Sequence, residues 1–255
     1  MSTLLSALQA GVLTLTLNRP ERANAFNVEM IHELQNVFTQ AEKDSQTRVI
    51  VLTGSGKAFS AGQDISEMKG GELSYREHLE KTYNPLIINI RRIEKPVIAA
   101  INGPCAGAAL GVALACDLRL ATDATKLVVG FSGIGLVPDS AVSFLLAALI
   151  GLGRAEEFYF SNAPISAQQA LEWGLVNRIF PTTSFLQETL SNATQLAAGP
   201  VGMFGLAKQA FNQAILPNLE EVLNTEADLQ EIAGKRAEHK EGVAAFLEKR
   251  KPKYI

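Results

Sequence analysis

Up to about residue 182 the chain alternates short apolar runs with segments of helical periodicity, and few architectures accept that pattern. Residues 12–17 are rich in Val, Leu and Thr, follow Gly11 and end at Asn18-Arg19-Pro20, which reads as a strand. From Asn27, the expected cap, Met30, Ile31, Leu34, Val37, Phe38 and Ala41 recur at helical spacing. Residues 48–53 form a buried strand stopped by Gly54. Ser74-Tyr75-Arg76-Glu77 is a capping box, and the helix it opens is expected to end before Lys95-Pro96. Residues 96–101 form a further strand, followed by an Ala/Gly-rich helix from about 106 to 116. Strands near 118–121 and 127–129 precede an apolar helix over 139–150. This order implies mainly parallel pairing with helices on the sheet faces, an α/β fold.

After Gly153 the pattern changes. Ser166 to Gln169 is a second capping box and 176–180 a last short strand; from Thr183 only helical periodicity remains, punctuated by Gly199-Pro200 and Pro217. The expected organisation is an α/β core over 1–182 and a helical region over 183–255, with no flexible linker or repeat between them.

Composition removes several function classes. The 255 residues can bury a core without staples. With 23 Lys and Arg against 26 Asp and Glu, a net charge of −3 gives no broad electrostatic reason to expect nucleic acid or an anionic membrane as partner. Cys105 and Cys116 are too few for a disulfide scaffold or a four-thiolate zinc site. The longest apolar run, 142–152, is too short to span a bilayer, and the first basic residue is Arg19, so no signal peptide is expected. These readings lead to the expectation of a cytoplasmic enzyme without a metal.

Familiar motifs fail on inspection. Gly54-Ser55-Gly56-Lys57 is followed by Ala58 rather than Ser or Thr, and Val51 stands where a phosphate loop opens with Gly. Gly103, Gly107 and Gly111 are spaced four and four, unlike a dinucleotide loop. His32, His78 and His239 lie in polar or amphipathic helical stretches and read as surface or satisfied histidines. Three acids stand in apolar or Gly-rich surroundings. Asp117, near Arg119, reads as a structural hydrogen bond or ion pair, and Asp64 as a helix cap. Asp139, before a very apolar helix, reads equally as a cap or as an acid with a raised pKa suited to proton transfer.

Four blocks carry a resemblance: residues 14–20, ending Asn18-Arg19-Pro20; residues 51–64, ending Ser60-Ala61-Gly62-Gln63-Asp64; Lys95-Pro96 through Asn102-Gly103; and Gly133-Ile134-Gly135-Leu136-Val137-Pro138-Asp139. In this order they resemble the crotonase, or enoyl-CoA hydratase/isomerase, superfamily along the whole chain. The resemblance implies a spiral of ββα units with a helical C-terminal trimerisation region, and a homotrimer or a hexamer made as a dimer of trimers. It implies an acyl-CoA substrate, with coenzyme A present as part of that substrate and no permanently bound cofactor. An oxyanion hole would be formed by the backbone N–H groups of Gln63 and Ala108. Coenzyme A contacts would fall to Arg22, Ala23, Ala25, Ala61, Asp64 and Ile65.

The hydratase glutamates of that family correspond by motif position to Gly111 and Phe131, neither of which exchanges a proton. The resemblance is strongest to the epoxyphenylacetyl-CoA isomerase branch, which also shifts double bonds from Δ3 to Δ2. It implies Asp139 as the acid/base, with Gly111, Phe131, Tyr83 and Asn84 around the acyl group. The branch carries glycines shortly after the Asp, whereas this chain has Ser140-Ala141-Val142. The alternatives are an enoyl-CoA hydratase or other acyl-CoA reaction, and a non-enzymatic acyl-CoA-binding subunit. The 4-chlorobenzoyl-CoA dehalogenase type is a more distant option, because residues 83–94 lack its histidine.

Overall fold

The computed structural model describes residues 2–66 and 74–254. It opens with a hairpin, β1 (Leu4–Gln9) and β2 (Val12–Leu17), turned at Ala10 and Gly11, both with positive φ. The left-handed pair suits the twist of a two-residue hairpin loop. Strand β1 has no β-branched residue and, beyond Leu4, faces solvent, so its sequence carries no strand signal.

A 3-10 turn (Pro20–Arg22) leads to α1 (Val28–Lys43), whose first turn is capped by Asn27 Oδ1 accepting from the Met30 N–H at 3.0 Å. Its apolar stripe, Met30, Ile31, Leu34, Phe38 and Ala41, is buried, each larger side chain contributing roughly 1.5–3 kcal/mol. Strand β3 (Val49–Gly54) follows. Ser74 caps as its spacing predicts, its Oγ accepting from Glu77 N–H at 3.1 Å. The helix it opens is broken at Thr82 into α2 (Tyr75–Lys81) and α3 (Tyr83–Arg92), where the spacing predicts a single helix. Thr82 has φ −114 and ψ −81, outside helical geometry, and its hydroxyl donates back to the His78 carbonyl.

Strand β4 (Val97–Ile101), the short β5 (Cys105–Ala106) and α4 (Ala108–Ala115) complete one turn of chain. The next turn repeats it with β6 (Leu118–Thr122), β7 (Lys126–Val128), a 3-10 turn (Ser132–Ile134) and the pair α5 (Val142–Ile150) and α6 (Leu152–Ser161). Then come β8 (Ile165–Ser166), α7 (Ala167–Trp173) and β9 (Arg178–Phe180). The large sheet runs β1-β2-β3-β4-β6-β9, antiparallel only at the opening hairpin. A second layer holds β5, β7 and β8, extended by single bridges from Phe26 to Gln63 and from Ser60 to Cys105. Each turn therefore lays one strand in the large sheet and a short one in the second layer before its helix: a spiral of ββα units.

The central parallel strands β3 and β4 are apolar along nearly their whole length because both faces are covered. One face packs on α1, α3, α4 and α5. On the other, Val12, Val49, Val51, Ile98 and Leu120 meet Phe185, Ala193 and Ala197 of α8 (Phe185–Ala197). The glycine turn after β3 is an internal corner, not a phosphate loop: Asn102 accepts from Gly54 N–H, and the Asn24 and Asn102 amides donate to the carbonyls of Ser55, Gly56 and Ala58.

Asp117 is structural, but its partners are Arg91, at 3.1 Å, and Lys208, at 2.8 Å; the Arg119 guanidinium instead donates to the carbonyls of Leu175 and Cys116. Lys208 lies on α9 (Val201–Ile215), so this buried network ties a C-terminal helix to the strand ends. Helices α10 (Leu219–Gly234) and α11 (Ala237–Leu247) follow, α10 packing on α2 and α5 and α11 on the Ser132–Ile134 turn. Among the described residues no helix is long and apolar enough to cross a membrane.

Candidate active site

A cavity of about 620 Å³ opens between the second layer, α2, α3 and the C-terminal helices. Gln63 and Ala108 stand on adjacent segments of its wall. In the parallel bridge to Phe26, Gly62 O accepts from Phe26 N–H at 2.7 Å and Asp64 N–H donates to Phe26 O at 2.8 Å. Parallel geometry then turns the N–H of the intervening Gln63 to the opposite side. Ala108 is the first residue of α4, after Gly107, whose own N–H is taken by Val128 O at 3.2 Å. First-turn N–H groups have no intrahelical acceptor, and among the described residues neither the Gln63 nor the Ala108 N–H donates to a protein group. Buried N–H groups without a protein acceptor are rare, and the α4 dipole adds positive potential at this end.

Gly62 permits this approach. Its φ of +85 is left-handed, and a Cβ there would meet Ala106 O at 2.6 Å and Ala108 N at 3.3 Å. Only a glycine lets the two donor-bearing segments come so close.

Asp139 lines the same cavity and is 7% exposed. Its carboxylate accepts from Ser140 Oγ on Oδ1 and from Gln230 Nε2 on Oδ2, each at 2.7 Å. Burial drives its pKa up to about 6, the two hydrogen bonds offsetting part of that rise. Of the two roles open for Asp139, the helix cap is not taken. Helix α5 starts at Val142, whose N–H donates to the backbone carbonyl of Asp139 at 2.9 Å, but no N–H there reaches the Asp139 carboxylate: Ala141 N–H at 2.8 Å and Ser143 N–H at 3.1 Å both donate to the Glu226 carboxylate. Glu226 is itself buried, which pushes its pKa up to about 7, and the Asp139 charge adds to the rise.

The facing wall is polar. Gln63 Oε1 accepts from Tyr83 Oη at 2.6 Å and is 3.1 Å from His78 Nε2. Burial lowers the His78 pKa, favouring neutral imidazole with Nε2–H as the donor. At the mouth Asp64 is ion-paired to Arg19 at 3.0 Å and accepts from Ser66 N–H and Oγ. Burial works against its charge, but Ser66 and Arg19 hold its pKa below the ordinary value. Asp64 thus closes a local turn at Ile65 and Ser66, and the residues that would continue a helix from it, 67–73, lie outside the described residues.

Of the residues expected at the site, Arg22, Ala25, Ala61, Gln63, Asp64, Ile65, Tyr83, Ala108, Phe131 and Asp139 line one cavity. Three do not. Ala23 points its carbonyl at Ala61 N–H as part of the turn before α1. Asn84 is buried against α10, its Nδ2 donating to Leu223 O. Gly111 packs on the backbone of Ser140, one layer behind the lining. Sequence reading missed His78, Gln230 and Glu226. The last two carried a signal, being polar residues inside the buried stripe Leu223, Glu226, Ala227, Gln230 and Ala233 of α10. His32 is exposed, whereas His239 is buried, its Nδ1 2.7 Å from Ile134 O and its Nε2 bonded to Tyr75 Oη. Burial raises both cysteine thiols far above their ordinary value, so neither is a ready nucleophile.

Residues 7–255 match the family model described as Enoyl-CoA hydratase/isomerase. The chain is 39% identical to the 1,2-epoxyphenylacetyl-CoA isomerase of Escherichia coli K12, covering 100% of this chain and 98% of that one. It is 37% identical to a probable enoyl-CoA hydratase of Rhodobacter capsulatus, over 96% and 94% of the two chains. A crystal structure of an enoyl-CoA hydratase from Mycobacterium avium subsp. paratuberculosis superposes with a TM-score of 0.91 at 32% identity, covering 100% and 99% of the chains. The spiral, the cavity wall and these likenesses together place the chain in the enoyl-CoA hydratase/isomerase (crotonase) family.

Proposed function

We propose that this protein is an acyl-CoA thioester isomerase that shifts a double bond, or isomerises a ring epoxide, through an enolate. The observation that carries the reading is that, among the described residues, Asp139 is the lining carboxylate without a cationic partner, Asp64 being held by Arg19. The thioester oxygen would sit at the Gln63 and Ala108 N–H groups, where donors aimed at developing negative charge lower the barrier to enolate formation. Ionised Asp139 takes a proton from C2, the electrons pass into the thioester as a dienolate, and the same carboxyl returns the proton at C4. A pKa of about 6 leaves it a competent base near neutrality and a competent acid once protonated.

Hydration is disfavoured because Phe131 fills the lining and Gly111 offers no carboxylate. Coenzyme A enters this reading as part of the substrate, bound at the mouth by Arg22, Ala25, Ala61 and Ile65, with no resident cofactor. The helical region 183–255 is read as an oligomerisation region for a homotrimer or a dimer of trimers. Met203, Leu206, Phe211 and Ile215 on the outer face of α9 support this, Phe211 being 69% exposed.

The test is D139N assayed with a 3-enoyl-CoA ester. Loss of double-bond migration with thioester binding retained is expected; undiminished migration rejects the assignment.

A further inference from the structure

Helix α10 reaches the catalytic turn with two side chains set one helical turn apart. Gln230 behaves like a strand partner for Val137: its Oε1 accepts from Val137 N–H at 3.1 Å, and its Nε2 donates to Val137 O at 3.0 Å. The same Nε2 donates to Asp139 Oδ2 at 2.7 Å. Glu226 accepts from Ala141 N–H, Ser143 N–H and Ser143 Oγ. Between these two anchors lie Ser140 and Ala141, fully buried and left-handed with φ 57 and 63. Two consecutive non-glycine residues in that region carry a conformational cost and persist only when the surroundings impose it. Glu226 supplies the imposing contacts: its carboxylate rewards the backbone direction that left-handed Ala141 gives to its N–H.

We propose that Gln230 and Glu226 are positioning residues for Asp139, Gln230 fixing the direction of its carboxylate and Glu226 holding the strained turn that presents it. This rests on the isomerase reading of the site. The other titratable or charged side chains lining the cavity with Asp139 are Tyr75 and His78 on α2, Tyr83 on α3, and Arg22 and Asp64 at the mouth. Helices α4 and α5 bring none. The Gln230 amide stabilises the Asp139 anion by donation. Glu226, with the higher pKa, is still largely protonated while Asp139 titrates, and acts on it through the turn rather than through charge.

The experiment uses the full chain with Gln230→Leu, Glu226→Gln and the double variant Glu226→Gln/Ala141→Gly. Two readouts are taken: kcat and KM for trans-3-hexenoyl-CoA, and the Asp139 titration followed by 13C NMR of carboxyl-labelled aspartate, assigned with D139N. Gln230→Leu is expected to lower kcat about 10- to 100-fold with KM within threefold, and to move the Asp139 midpoint upward. Glu226→Gln is expected to lower kcat and, by loosening the turn that holds Asp139 against Gln230, to move that midpoint upward. Glycine takes the left-handed conformation without strain, so adding Ala141→Gly should bring the double variant to within threefold of the parent.

An unchanged kcat and midpoint in Gln230→Leu, or a loss confined to KM, overturns the role of Gln230. A Glu226→Gln defect that the added Ala141→Gly does not repair overturns the role of Glu226. If leucine at 230 prevents folding, Gln230→Asn, an amide one methylene short, gives the same two readouts. Absence of isomerase turnover in the parent would reject the function reading, while the NMR midpoints would still decide the positioning roles.

Discussion

Gly111 and Ser140 meet backbone to backbone: a Cβ on Gly111 would stand 2.5 Å from Ser140 O and 2.7 Å from Ser140 Cβ. Helix α4 therefore presses directly on the strained turn after Asp139, and the space a side chain would need is filled. Gly111→Ala should cost about 2–4 kcal/mol through overpacking against rigid backbone. A fall in Tm of roughly 5–15 °C by calorimetry would follow, together with a drop in turnover as the turn shifts. An unchanged Tm would mean that the turn yields freely, contrary to its buried setting.

Ala108 offers a way to remove one donor without touching a side chain. It is the first residue of α4, where proline's fixed φ is tolerated and its missing N–H breaks no helical bond. Ala108→Pro should keep the fold and lose about 100- to 1000-fold in kcat, the effect of deleting one oxyanion donor, roughly 3–4 kcal/mol. Circular dichroism checks the fold and single-turnover kinetics the chemistry. Wild-type rates in the proline variant would dismiss this N–H as the oxyanion donor.

The elements most legible in the sequence are those whose burial is written in a local pattern. Asn27 before the α1 stripe and Ser74 and Ser166 in their capping boxes all cap as their spacing predicts. The central strands β3 and β4 read as nearly unbroken apolar runs because helices cover both faces of the sheet. Strand β1 is not legible: it is an edge strand with one buried residue, and its partner rather than its composition makes it a strand. The break at Thr82 does carry a mark, Pro85 in the first turn of α3, whose missing N–H cannot bond the Lys81 carbonyl as a continuous helix would need. In the site, motif position locates Gln63, Ala108 and Asp139, which line one cavity. The support from Gln230 and Glu226 comes from about 90 residues further along the chain, at a distance no local spacing reports.

The reaction's pH dependence follows from Asp139. The free enzyme must hold it ionised to take the C2 proton, and burial lifts its pKa to about 6. For a 3-enoyl-CoA substrate, kcat/KM should therefore fall about tenfold per pH unit below that value and level off above it. Measurement between pH 4.5 and 8.5 checks this. A flat profile down to pH 4.5 would show that a group with an ordinary or depressed pKa does the work.

The raised Asp139 pKa also has a consequence for folding. The carboxyl titrates near 3.8 when unfolded and about 6 when folded, so between these values the native state binds more protons. Its neutral form favours the fold; that contribution is complete below about pH 4 and is lost as pH rises through 6. Above pH 7 the buried anion costs about 3 kcal/mol, because every tenfold weakening of its acidity on folding corresponds to about 1.4 kcal/mol. D139N keeps the shape without the charge, and the Ser140 hydroxyl can rotate to accept from the new amide. The variant should thus be more stable than the parent by about 2–3 kcal/mol at pH 8, with the difference shrinking towards pH 4. Urea unfolding of both proteins across that range measures it. A difference that does not change with pH would mean that Asp139 is not titrating within the fold.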